Sequence, residues 1–334
     1  MGLTSVSVAY SMMILSSMFV SPTLMNYLGC KWTAALCISS SAIYSIGNFF
    51  PGWPSLMITS VIIGLGAAPL WSSLSTYITI VAQRQAEIDN TKTEDKISQY
   101  FGILILAYSS ANIWGNLMSS LILGSASETG NVSNGDPLFC GVSSCLNSSG
   151  LAAMAERPET GPLNILLGCF VGLGTMGVIV ISVFLDNVKE EEEVDTKKSF
   201  CFVFFATLRQ LRDYRLVLLI PMTIYIGLEI SFLSGDFTSV YATCALGIHY
   251  VGFVMICFGA TSSITSITVG RLSKYTGRQV LISLAAVINL SCIIGLLIWK
   301  PDPDQKAVFF VFPALWGMAD AIWQTQTNGK LAMC

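Results

Sequence analysis

The chain has 334 residues, 53% hydrophobic and 11% charged, with a mean hydropathy of +0.66 and a formal net charge of −3. A soluble domain carries about 25% charged residues, so this composition excludes an ordinary soluble core and reads as a polytopic membrane protein whose first partner is the lipid bilayer. The slight acidity and the single histidine point away from nucleic acid and from a histidine-ligated metal, and no motif asks for a cofactor.

The opening apolar run contains no Lys or Arg before Lys31 and reaches spanning length, so it reads as a span rather than a leader. Nine spans are predicted, over 3–26, 32–50, 55–82, 99–124, 162–185, 214–236, 247–270, 279–299 and 307–329. The first two are joined by PTLMNYLGCK (Pro22 to Lys31), and PGWP (Pro51 to Pro54) breaks the second from the third. A polar loop, 125–161, follows the fourth span. It holds the glycosylation sequons at Asn131 and Asn147, and a CGVSSC stretch whose Cys140 and Cys145 are expected to pair outside the cell. Most of the ten cysteines fall instead in apolar runs, as small buried hydrophobes. A linker at 186–213 carries EEEE (Glu190 to Glu193), then a Phe-rich, Arg-ended stretch. That stretch reads either as a short helix on the membrane surface or as an extension of the next span. GRLSKYTGRQ (Gly270 to Gln279) joins the seventh span to the eighth.

Basic residues orient the chain. Fourteen of the 17 Lys and Arg fall in one alternate set of connections, and only Arg157, Lys300 and Lys306 fall in the other. The cation-rich side is cytosolic by the positive-inside rule, which places the sequon loop outside.

The two joining turns align at an offset of 248: Leu24 meets Leu272, Tyr27 meets Tyr275 and Gly29 meets Gly277. A glycine permits a tight helix-to-helix turn, and a nearby cation (Lys31; Lys274, Arg278) favours the cytosol and helix C-termini. The turns resemble the pattern G-x-x-x-D-[RK]-x-G-R-[RK] that joins helices 2 to 3 and 8 to 9 in the major facilitator superfamily. Gly270 keeps the first glycine in the second copy, but Pro22 replaces it in the first, and Asn26 and Lys274 replace the acidic residue. GAAPLW (Gly66 to Trp71) likewise aligns on MADAIW (Met318 to Trp323). The expected architecture is therefore an all-α membrane bundle of two repeated halves. It comprises an N-terminal bundle over 1–185, a linker over 186–213 and a C-terminal bundle over 214–334. On that numbering the spans are helices 2 to 10 of twelve.

The stretches GNFF (47–50), GLGAAPLW (64–71), QYFGI (99–103), WGNLMSSL (114–121), VGFVMICF (251–258) and LWGMADAIWQTQTN (315–328) make the chain similar to the uncoordinated-93 family. The resemblance implies a cell-membrane or endomembrane protein of major facilitator shape that regulates another integral membrane protein, a potassium channel or a receptor, rather than an enzyme. The alternative is a secondary transporter of a small solute or cation.

Three carboxylates stand in or near the spans: Glu229, Asp236 and Asp320. Intramembrane charge is expensive and faces the bundle interior or water. Glu229 and Asp236 are seven apart, two α-helical turns on one face, with Tyr225 one turn before. Trp323 and Gln324 follow Asp320 at helical spacing. In the superfamily helices 4, 7 and 10 line a central cavity, which would bring Trp71 to the same place. Two readings stand: a cavity for a cation or proton, or a hydrogen-bonded structural cluster, with Asp236 at an outer helix end. Trp71 and Trp323 read as packing residues.

Overall fold

In hydrocarbon a backbone must satisfy its own polar groups, and a helix does so within one segment. In a computed structural model every regular element among the described residues (2–50, 52–124, 140–141, 160–187, 214–246, 249–302 and 304–331) is helical. The long helices are α1 (Gly2–Gly47), α2 (Trp53–Ile88), α3 (Thr93–Gly124), α4 (Thr160–Phe184), α5 (Tyr214–Ser231), α6 (His249–Thr276), α7 (Arg278–Ile298) and α8 (Lys306–Leu331). α5 continues into a π-helical stretch (Phe232–Thr243) and one last α-helical turn (Cys244–Leu246).

Among the described residues seven helices are long and apolar enough to cross a membrane. They carry eight of the expected spans because α1 holds two, and the α5 rod carries the ninth. At 1.5 Å per residue the 46 residues of α1 would reach about 70 Å if straight, over twice the hydrocarbon thickness. The break falls at Gly29, with φ 72° and ψ 175°. Its counterpart Gly277 separates α6 from α7 with φ 76° and ψ 149°. Both conformations belong to glycine, and a side chain at either position would meet no neighbouring atom within 4 Å. The surroundings repeat as well. Tyr27 and Tyr275 are 83% and 80% exposed, and Lys31 and Lys274 each lie over the next aromatic ring, Trp32 and Tyr275. Pro22 lies inside α1, whereas Gly270 is pressed against Ser98 and Gly102 of α3.

The residues group into two compact units, Met1–Asp89 with Asn164–Val217, and Asn90–Leu163 with Leu218–Cys334. In the first, α1 and α2 pack through small residues. Gly64 meets the backbone of Ala9, Gly66 meets Ser40, Ser5 and Ser60 share a hydrogen bond of 2.5 Å, and Ser16 donates to the Leu65 carbonyl at 2.6 Å. α4 joins them at Gly174, against Ala42.

In the second unit α3 packs along α6, with hydroxyl pairs Ser98–Ser273 and Ser109–Ser262 at 2.9 Å each. Chain order places α3 in the first half of the repeat, but its contacts are with α6 and α8. Phe237, Tyr241, Val254, Leu296, Phe309 and Trp316 form the core where the π-helical stretch, α6, α7 and α8 meet.

One expectation is corrected here. Cys140 pairs with Cys244, 104 residues away with Cα atoms 5.8 Å apart, and not with Cys145. Nearness in the chain is only one route to nearness in space. The end of the α5 rod and the polar loop lie on the side the charge count assigns as outer, and packing brings them together. Beside the bond, Gly141 adopts φ 83° against Pro301 and Tyr241, where a side chain would collide. Cys145, Asn131, Asn147 and most of the linker (188–213) lie outside the described residues.

Candidate functional site

Glu229 comes from an α5 that is otherwise apolar toward its end, so packing holds it inside the second unit at 5% exposure. Asn289, midway along α7, donates from Nδ2 to Glu229 Oε1 at 3.1 Å. The second carboxylate oxygen, Oε2, is buried without a hydrogen-bond partner. The Trp316 indole N–H of α8 lies close to the same carboxylate but completes no hydrogen bond to it. Tyr225, one turn before Glu229, packs edge-on against Trp323 with centroids 5.7 Å apart.

Asp320 is equally enclosed, at 4% exposure, one turn after Trp316 on α8. Gln324, a further turn on, donates to its Oδ1 at 3.4 Å, and the Ser262 hydroxyl stands alongside while bonding Ser109 of α3. The two carboxyl groups are near enough to interact electrostatically but occupy different junctions: Glu229 among α5, α7 and α8, Asp320 among α6, α8 and the α3 pair.

A cavity of about 380 Å³ opens beside Glu229. Its inner wall is Tyr225, Glu229, Phe232, Tyr241 and Trp316; Asp320 does not line it. Toward its mouth stand Leu228 and Leu297, 65% and 64% exposed. Phe232 and Trp316 lie ring beside ring at 5.5 Å, and the Tyr241 hydroxyl donates to the Leu296 carbonyl at 3.4 Å.

Asp236 does not share the face of Glu229, which corrects the seven-residue spacing argument. From Phe232 the helix is π-helical, with more residues per turn, so the α-helical register is lost and Asp236 stands exposed. Trp71 is half-buried on α2 in the first unit. Trp323 is buried and Gln324 half-buried beside Asp320.

Reasoning from sequence named Tyr225 but missed Asn289 and the Phe232 and Tyr241 rings of the lining. Asn289 had a signal, since an amide in the middle of a highly apolar span needs a partner. Among the described residues no group of three potential metal ligands occurs.

Comparison with known proteins places this geometry. A family model described as "Ion channel regulatory protein UNC-93" matches residues 1–334. The chain is 52% identical to protein unc-93 homolog A of Danio rerio, over 98% of this chain and 71% of that protein. It is 44% identical to the Homo sapiens homolog A, over 98% and 73%. With the Caenorhabditis elegans protein unc-93, named for potassium channel regulation, it shares 31% identity over 98% of this chain and 48% of that protein. Among solved structures, the nucleoside transporter NupG superposes with a TM-score of 0.55 at 12% identity, covering 98% of this chain and 78% of that one. That likeness shows the fold, a helical bundle of the major facilitator type.

Proposed function

This chain belongs to the UNC-93 family, and on that premise we propose that it is a multi-pass accessory protein that regulates another integral membrane protein, a potassium channel first among the possibilities. The observation that carries the reading is the family match along all 334 residues. The family model and the nematode relative bear regulatory names. The site agrees with it. Asp320 is bonded to Gln324 of its own helix beside the Ser109–Ser262 pair that joins α3 to α6, and Glu229 is tied to Asn289 of α7, an arrangement suited to holding a bundle in one shape.

The test pairs two measurements on the full chain. Mild-detergent purification should retain a channel, and potassium currents should change when the chain is co-expressed with it. Solute or proton flux into vesicles containing the purified chain alone, lost when Glu229 or Asp320 is neutralised, would replace this reading with secondary transport.

A further inference from the structure

We propose that the cavity between α5, the π-helical stretch, α7 and α8 is a binding site for a lipophilic amine taken up from the bilayer, its ammonium group held at Glu229 and its tail directed past Leu228 and Leu297. This inference stands apart from the partner proposed above.

The polar groups define the head of the ligand. Glu229 is 95% buried by its 5% exposure, and Oε2 completes no hydrogen bond to the protein, the nearby Trp316 indole N–H included. A carboxylate oxygen left so in a membrane interior costs several kcal/mol, which a cationic donor would offset. The remaining inner wall is aromatic: Tyr225, Phe232, Tyr241 and Trp316. Ring faces attract organic cations, most strongly where water is excluded. Because the Tyr241 hydroxyl is engaged with the Leu296 carbonyl, that residue offers its ring rather than an oxygen.

The same wall argues against other ligands. A hard metal cation asks for six or more oxygen ligands, and here one carboxylate stands among rings and aliphatic carbons. An anion would meet Glu229, and a plain hydrocarbon would leave its oxygen unsatisfied. A neutral amine fits as well as an ammonium, because a protonated Glu229 can pass its proton to the amine nitrogen and form the same ion pair.

Size and access define the tail. The volume of about 380 Å³ lies in the range of small-molecule sites. Leu228, Ile293 and Leu297 are exposed on apolar helix surfaces, so the opening is itself apolar and suits an alkyl tail. Two of the lining residues, Phe232 and Tyr241, belong to the π-helical stretch, a geometry that recurs at functional sites.

The full chain in nanodiscs of zwitterionic lipid is titrated with four probes of one tail length: dodecylamine, dodecyltrimethylammonium, dodecanol and dodecanoate. Both cations should bind at least about tenfold more tightly than the alcohol, and the carboxylate should be weakest. Glu229→Gln should remove the preference for cations, Phe232→Leu should weaken dodecyltrimethylammonium more than dodecanol, and Leu284→Ala, on the exposed face of α7, should change nothing. Equal binding of amine and alcohol, or an undiminished preference in Glu229→Gln, overturns the assignment. If Glu229→Gln does not fold, Phe232→Leu decides: equal losses for cation and alcohol identify a mere apolar void and overturn it too.

Discussion

α2 and α8 stand at aligned places in the two halves, Trp71 over Trp323 and Ala68 over Asp320, yet they meet opposite demands. α2 is held by contacts that leave little room: Gly64 on Ala9, Gly66 on Ser40, and hydroxyls bonded to carbonyls. No described residue of α2 buries a side-chain polar atom without a partner, whereas α8 contributes six of the ten such atoms, on Trp316, Trp323, Thr325, Gln326 and Thr327. Buried polar atoms are normally satisfied, so this excess separates α8 from α2, whose buried hydroxyls are bonded. A repeated frame can thus carry its polar chemistry in one copy alone.

The sharpest way to break this contrast is to move the carboxylate. Ala68→Asp buries a charge in α2 without a donor such as Gln324 and should cost about 3–5 kcal/mol or more, enough to remove the folded species from size-exclusion profiles. Asp320→Asn should leave that species in place. Next in size, Gly64→Leu should destabilise by at least about 3 kcal/mol, because its side chain would enter the Ala9 backbone. Gly172→Leu, with nothing within 4 Å, should be tolerated in the same thermal assay.

The turns test the likeness of the halves rather than their difference. Gly29→Ala and Gly277→Ala should each cost about 1–3 kcal/mol, equal within error, since both penalties are conformational rather than steric. A large inequality in melting temperature would show that the turns are alike in sequence only. The smallest effect belongs to Tyr27→Ala and Tyr275→Ala, each within about 0.5 kcal/mol, because both rings are exposed.

Composition and charge made the spans and turns legible, because hydrocarbon selects long apolar helices and the cytosolic side selects cations. Gly29 and Gly277 could be found because positive φ narrows the choice of residue. The π-helical stretch could not be read, since FLSGDFTSVYAT has no hydropathy rhythm that separates π from α, and the expected face of Asp236 was lost with it. Asn289 was passed over, although its amide is the group that binds Glu229. The partner of Cys140 lay beyond reach for another reason: pairing depends on where helix ends arrive, and CGVSSC records only separation along the chain.

The Cys140–Cys244 bond closes a covalent ring that includes α4, from one compact unit, and α5, from the other. On the chain-entropy account, a loop of about 100 residues restrains the unfolded state by about 4–5 kcal/mol. The ring also changes what cleavage can do. A protease that cuts the 186–213 linker severs the polypeptide between Cys140 and Cys244, yet both fragments stay joined through sulfur. The nicked protein would migrate as one species until a reductant opened the bond. Integrity of the bundle then rests on sulfur as well as on the peptide chain.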